Sequence, residues 1–300
     1  MMTRTVVISG ASGLLGSALL PALTAAGWGH RSLVRRAPGA GEVRWAPSNG
    51  TIDTDALAGV TGAVHLAGEP IAEGRWSADK KARIRSSRIL GTRLLSESLA
   101  SLPTRPEVLV SASAIGIYGN RGDEVLNEDS SLGADFLSEV GKEWEAATAP
   151  ARDAGIRVVN LRFGIILAAD GGALPRMVKP FLLGAGGPIG NGRQWMSWVA
   201  IEDAVRIVLR ALEDARMTGP VNAVSPNPVR NTDFADRLGE VLHRPALVPA
   251  PAFALRLLFG EMADAALLAS QRVAPARLLE GGFEFRYPTL PEALRAVLDR

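Results

Sequence analysis

TVVISGASGLLG, residues Thr5–Gly16, decides the fold. Val6-Val7-Ile8 is the β-branched run of a strand buried on both faces. Gly10-Ala11-Ser12-Gly13-Leu14-Leu15-Gly16 then turns the chain into a helical segment reaching about Ala26. Strand, glycine turn and helix start leave free backbone N–H groups at a helix N-terminus, where a pyrophosphate can sit. Gly10 permits the tight turn, Gly13 lets the backbone approach a phosphate, and Gly16 lets the helix pack closely on the strand. The spacing is GxxGxxG rather than GxGxxG, and an ordinary glycine-rich turn is the alternative. The N-terminal strand–turn–helix context favours the nucleotide cradle.

Composition bounds the rest. Three hundred residues, 47% hydrophobic, can bury one large core or two coupled lobes. The 33 basic residues are scattered among 31 acidic ones, so no nucleic-acid partner is expected. The absence of cysteine excludes disulfides, thiolate catalysis and cysteine metal sites. His30, His65 and His243 stand too far apart for a compact metal motif, so no metal is expected. The first residues enter a strand without a signal-like segment, and no apolar run is long enough to span a bilayer. The expectation is a cytoplasmic protein with no membrane partner.

The second strand, Arg31–Val34, runs into Arg35-Arg36. An NAD site places Asp or Glu there, beside the adenosine ribose; two arginines favour the 2′-phosphate of NADP(H). A solvated basic loop is the alternative. Ala63-Val64-His65-Leu66-Ala67-Gly68 is an apolar strand whose small-residue end lets the adenine side of a cofactor lie against backbone. His65 reads as a packed core residue. Trp76–Leu102 reads as a long helix on which Arg83, Arg85 and Arg88 form a solvated face, with one of them in reach of a phosphate or ribose.

Val108–Ser113 is a further buried strand continuing into Ala114–Gly119. Ser111 and Ser113 lie at its carboxyl end, where a parallel strand opens onto a ligand crevice. Asn120–Ser131 is an acidic rim loop in which Glu128 and Asp129 are surface charges or bases. Asp135–Ala151 is helical, and Arg157–Arg162 is the next strand, followed by Phe163-Gly164-Ile165-Ile166-Leu167. Alternating strands and helices through about residue 165 argue for a doubly wound parallel sheet. After it come a glycine-rich loop at Leu182–Gly192, the indoles Trp195 and Trp198, a helix at Ile201–Leu212 and a strand near Val221–Val224.

GASGLLG, HLAG, SASAIGIYG and LRFGIIL together resemble the extended short-chain dehydrogenase/reductase superfamily. Ser87-Arg88, Trp144-Glu145, GGPIGNG, QWMSWVAIEDA and RVAPARLLEGGFEFRYP are similar to an atypical subgroup over essentially the whole chain. Its members carry the label epimerase-family or sugar-nucleotide-epimerase-like and have a distinctive C-terminal domain. The resemblance implies an α/β fold with a Rossmann-type doubly wound sheet over residues 1–165, to which 198–224 return. A smaller C-terminal α/β substrate lobe spans 166–197 and 225–300; because ligand clefts tend to be apolar, Phe181, Trp195 and Trp198 read either as pocket walls or as core between the lobes. It also implies NADP(H) contacts at Gly10, Ser12, Gly13, Leu14, Leu15, Gly16, Arg35, Arg36, Leu66, Ala67, Gly68, Arg88, Ser111 and Gly164. A small-molecule substrate and a homodimer are among the expectations.

Catalysis is where the chain departs from the superfamily. A Tyr-x-x-x-Lys pair is expected on the helix after the serine strand, the lysine lowering the tyrosine pKa for proton exchange while hydride moves. That helix, Asp135–Glu145, holds no tyrosine. Alignment through Trp144-Glu145 puts Leu137 and Gly141 at the two positions. Ser138 and Lys142 keep the spacing one residue on. The catalytic candidates are Ser113, Ser111 and Tyr118, the last being alternatively a packing residue. Two functions stay open: an NADP(H)-dependent oxidoreductase or epimerase acting on a small carbonyl or sugar-like substrate, and a non-catalytic NADP(H)-binding sensor.

Overall fold

The structure, a computed structural model, describes residues 4–299. β1 (Thr5–Ser9), β2 (Gly29–Val34), β3 (Glu42–Ala46), β4 (Thr51–Ile52), β5 (Gly62–His65) and β6 (Val108–Ala114) come first. β7 (Val125–Leu126) leaves the sheet and β8 (Arg157–Phe163) rejoins it. β9 (Ile165–Leu167), β10 (Trp195–Met196) and β11 (Trp198–Ala200) lead to β12 (Gly219–Ala223), with β13 (Val229–Arg230) and β14 (Arg272–Val273) beyond. The spatial order β12-β8-β6-β5-β1-β2-β3-β4 is parallel except for the β3–β4 pair. β1 is flanked by β2 and β5, so the strand order reverses there. Ligands of such sheets bind outside the carboxyl ends of the strands at that point.

Each face of the sheet is covered. Val6 and Ile8 of β1 point to a core shared with helix α1 (Leu14–Ala25), and Val7 points to the opposite one. All three are fully buried, which contributes roughly 1.5–3 kcal/mol per side chain. Helix α2 (Ala78–Ser101) covers the second face through Leu95 and Leu99. Ser77 caps α2 by accepting the Lys80 N–H at 3.2 Å. The helical stretch expected over Asp135–Ala151 divides into α3 (Phe136–Ala146) and α4 (Ala149–Asp153), with Pro150 starting the second.

A smaller C-terminal region has its own core. α5 (Leu174–Leu182), α6 (Ile201–Glu213), α7 (Asn231–Leu242), α8 (Ala252–Phe259), α9 (Ala276–Glu280) and α10 (Leu290–Leu298) follow in order. Phe181 and Trp198 are buried in this core with Phe234, Leu238 and Leu294. Of the two readings of Phe181 and Trp198, pocket wall or core, the structure gives core.

His65 is fully buried, edge-on to Trp45 at 5.8 Å between ring centres. Ser9 Oγ accepts the Leu66 and Ala67 N–H groups at 3.1 and 3.3 Å, so its own proton goes to His65 Nδ1 at 2.6 Å. That leaves the ring neutral with its proton on Nε2, which has no partner. Burial pushes the His65 pKa down to about 4. The unfolded chain therefore takes up this proton first as pH falls. His65 contributes fully above pH 6.5, and its contribution of about 3 kcal/mol is lost between 6.5 and 4. Urea unfolding across that window should show stability falling with pH in the wild type and a flatter profile in His65→Asn.

Candidate functional site

The glycine turn is built by backbone lying on backbone. Gly10 has φ +71°, and a Cβ there would stand 2.9 Å from Ala67 N. A Cβ on Gly16 would overlap Gly10 O, so Gly16 seats α1 on the turn itself rather than on the strand. Gly13 differs: it is exposed, and a Cβ would meet only Gly10 O, at 3.2 Å. It is the N-cap of α1, which has no side-chain cap and no acidic residue in its first turn. The exposed Ser12 and Gly13 thus border unfilled N–H donors at the positive end of a helix dipole. Leu15 is buried under the turn, while Leu14 packs against Gly171 and Gly172 of the C-terminal region.

A continuous series of contacts runs from this turn along the sheet edge. Gly10 touches Leu66 and Ala67, and the Arg88 guanidinium stands over Gly68. Arg88 Nη1 donates to Glu69 O at 3.0 Å and Ile84 O at 3.1 Å, while its Nε and Nη2 make no hydrogen bond among the described residues. The guanidinium stacks on Trp144 at 5.0 Å. Burial lowers its pKa to about 10, so it stays charged at neutral pH. Arg83 and Arg85 are the solvated members of this helix face, pairing with Glu69 and Glu143. At the end of β2, Arg35 is exposed and has no partner among the described residues, whereas Arg36 holds Glu42 at 2.5 and 2.7 Å. The expected pair of free arginines is one free arginine and one already neutralised.

Beside Trp144 lies a charged network that the sequence motifs did not resolve. Ser113 Oγ donates to Glu145 Oε1 at 2.7 Å, and Glu145 takes both Nε and Nη2 of Arg162 at 2.8 Å. Arg162 Nη1 donates to the Tyr118 hydroxyl at 2.9 Å, which donates to Asn222 Oδ1 at 2.7 Å. Burial opposes the charge on Arg162, but Glu145 more than offsets it and the pKa is raised. The signal in the sequence was a charge at the end of the apolar RVVNLR strand and a Glu beside Trp144.

Several expected site residues are displaced from their roles. Tyr118 is fully buried with both hydrogen-bonding directions taken, and burial raises its pKa, so it is a core hydroxyl and not a poised proton donor. Ser111 is fully buried within β6, its hydroxyl turned to Ala112 O. Gly164 is required by packing, since a Cβ would come 2.5 Å from Ser197 O. Glu128 is buried, accepting the Asn222 N–H at 2.9 Å, and Asp129 pairs with Arg277 at the surface. Ser138 serves the start of α3, bonded to Asp135 Oδ1 at 2.9 Å, and Lys142 pairs with Glu139. At Gly141, where the resemblance places a lysine, a Cβ would stand 2.9 Å from Ile117 Cβ, so α3 packs too closely for any side chain.

Elsewhere, Asn120, Asp123, Arg193, Arg230 and Ser270 line a cavity of about 460 Å³, in which Arg230 pairs with Asp123 at 2.7 Å. Trp195 is held between the guanidinium groups of Arg230 and Arg272, each 4.4 Å from its ring centre.

A reversed-order parallel sheet with an uncapped glycine turn, Arg88 and a serine–carboxylate pair along one edge defines an NAD(P)-binding Rossmann fold of the extended dehydrogenase/reductase kind. Residues 6–223 match the model of the NAD dependent epimerase/dehydratase family, to which the chain belongs. Residues 250–297 match a domain of unknown function, DUF1731. The chain is 43% identical over 295 residues to "Epimerase family protein Mb2239" of Mycobacterium bovis, covering 98% of this chain and 97% of the relative. The crystal structure of human epimerase family protein SDR39U1 (isoform 2) with NADPH superimposes with a TM-score of 0.90 at 33% identity, covering 99% of this chain and all of that one. A Corynebacterium glutamicum structure described as a nucleoside-diphosphate sugar epimerase gives a TM-score of 0.83 at 40% identity; the match covers 98% of this chain and 58% of that one.

Adding one methyl group at Gly141 should force α3 from Ile117. Gly141→Ala should cost about 1–3 kcal/mol, read as a lower urea midpoint with unchanged slope. An unchanged midpoint would show that the close approach does not dictate this glycine.

Proposed function

We propose that this chain is an NADP(H)-dependent oxidoreductase or epimerase that handles its proton through Ser113 and Glu145 instead of a tyrosine–lysine pair. The single observation that carries the reading is the 2.7 Å Ser113–Glu145 hydrogen bond, with Glu145 fixed by Arg162 at the carboxyl end of β6. The cofactor is NADP(H). The free N–H groups at the start of α1 beside Ser12 and Gly13 would hold its pyrophosphate, Arg35 would meet its 2′-phosphate, and Arg88 would approach it from the Gly68 turn. The human relative crystallised with NADPH supports this choice.

When bound, the cofactor would supply hydride chemistry at the substrate carbon. A substrate hydroxyl donates to Ser113 Oγ while Ser113 passes its own proton to Glu145 Oε1, so the oxygen loses H⁺ as the carbon loses H⁻. Reduction of a carbonyl runs through the same two bonds in reverse. Arg162 keeps the carboxylate oriented. The substrate is a small carbonyl or sugar-like molecule. The reaction takes place in the cytoplasm. The burial of Tyr118 and the filled space at Gly141 favour a second reading, a non-catalytic NADP(H) sensor.

Nicotinamide fluorescence should show NADPH bound more tightly than NADH, with the preference falling roughly tenfold in Arg35→Ala. Equal affinities unaffected by the change would refute the NADP(H) assignment. With NADPH bound, a panel of aldehydes, ketones and sugar nucleotides should include one that oxidises it. Ser113→Ala should then lower kcat by roughly 10²–10³ with cofactor affinity intact, whereas Tyr118→Phe should act mainly on stability. No turnover with any of them would leave the sensor.

A further inference from the structure

The glycine turn is one side of a closed ring of chain segments. At the first junction Gly10 lies on Leu66 and Ala67, with no room for a Cβ between them. At the second, the Leu14 side chain at the start of α1 straddles two consecutive glycines. A Cβ at Gly171 would stand 3.1 Å from Leu14 Cδ1, and one at Gly172 would stand 2.9 Å from Leu14 Cδ2. At the third, the Arg176 guanidinium donates to Ala72 O. Residues 10–14, 171–176 and 66–72 therefore run end to end around one opening. The unfilled N–H donors beside Ser12 and Gly13 belong to its rim.

The three junctions differ in strength. The first is backbone packed on backbone. The second is anchored on both sides: Leu15, next to Leu14, is buried under the turn, and Leu174, two residues after Gly172, is fully buried. The loop after β5 is held at its base, where the Glu69 N–H donates to Ser87 Oγ at 3.0 Å and Lys80 pairs with Glu69 at 2.8 Å. Trp76 Nε1 braces the same loop by donating to Ile71 O at 2.8 Å. The third junction is a single side chain. Arg176 and Ala72 are both exposed, and Arg176 makes no other hydrogen bond or ion pair among the described residues. Lys81 separately holds Glu261 at 2.8 Å, so the two regions stay tied when Arg176 lets go. Rotation of one exposed side chain is enough to open the ring.

We propose that Arg176 is the latch of the cofactor site, closing residues 171–176 onto Ala72 across the dinucleotide. The inference rests on the reading that the pyrophosphate lies at the start of α1. A dinucleotide is narrow at its pyrophosphate and wide at both ends. Arg35 follows β2 and Ser113 is on β6, and these strands lie to opposite sides of β1 in the sheet. The 2′-phosphate end and the nicotinamide end would then stand on opposite sides of the ring. A closed ring retains such a molecule by its two wide ends, and exchange waits for Arg176 to swing out.

Stopped-flow displacement of NADPH from the full chain by excess NADP⁺, followed by nicotinamide fluorescence, tests the latch. Arg176→Ala should release NADPH roughly tenfold faster with the unfolding midpoint unchanged. The chain has no cysteine, so Ala72→Cys/Arg176→Cys can be joined selectively by a bis-methanethiosulfonate reagent as long as the arginine side chain it replaces. Joined with NADPH in place, the protein should hold the cofactor through gel filtration. Joined empty, it should take none up, and dithiothreitol should restore exchange in both cases. With NADPH still bound by the wild type, an unchanged release rate in Arg176→Ala or free exchange in the cross-linked protein overturns the latch alone. Failure of the wild type to bind NADPH overturns the pyrophosphate reading together with it.

Discussion

Everything at the sheet edge depends on one close approach: Gly16 on Gly10, and Gly10 on the Leu66–Ala67 turn. Backbone there sits where side chains would otherwise stand, so the end of β1, the start of α1 and the end of β5 form one rigid corner. The corner is held from beneath by Ser9, which serves two backbone N–H groups and His65 at once. A neutral imidazole is the partner that arrangement requires, because Ser9 has only one proton left to give. The dinucleotide cradle and the buried histidine are thus parts of one structure, although they read as unrelated features in the chain.

The second constraint is at α3. Its approach to Ile117 at Gly141 excludes a lysine, and without a nearby cation a tyrosine at Leu137 would keep its ordinary high pKa. The charge is instead carried from the sheet side by Arg162 and answered by Glu145. Burying such a pair is costly unless the remaining hydrogen-bonding positions are filled. Here they are: Ser113 and Arg162 occupy Glu145, while Tyr118 and the Glu128 carbonyl take Arg162 Nη1. A purely structural ion pair could be replaced by apolar packing. One that ends on a serine at the cofactor edge holds a hydroxyl in a fixed direction.

Local patterns made the fold legible. β-Branched runs, glycine turns and alternating segments fixed the parallel sheet, because each strand buried on two faces must be apolar throughout. The phosphate turn was equally legible, since it is contained in seven consecutive residues. The partners of Arg36, Ser111, Tyr118 and Gly164 were not legible because they are remote in sequence or perpendicular to the pattern. Nothing in the sequence near Arg36 states that Glu42 will reach back to it, and nothing near Gly164 points to Ser197. Glu145 and Arg162 were visible as letters, but 17 positions separate them, and only the β6–β8 pairing brings Ser113 to the same place.

The same logic explains the exposed α8. Hydropathy reads AFALRLLF as a core helix, and a core helix would need a facing apolar surface. α7 and α10 pack on each other and on Phe181 and Trp198, completing the C-terminal core without α8. The helix therefore keeps its apolar residues although the fold gives them no partner. The cofactor edge is a corner of backbone packed on backbone, whereas the side chains of α8 join none of the buried clusters.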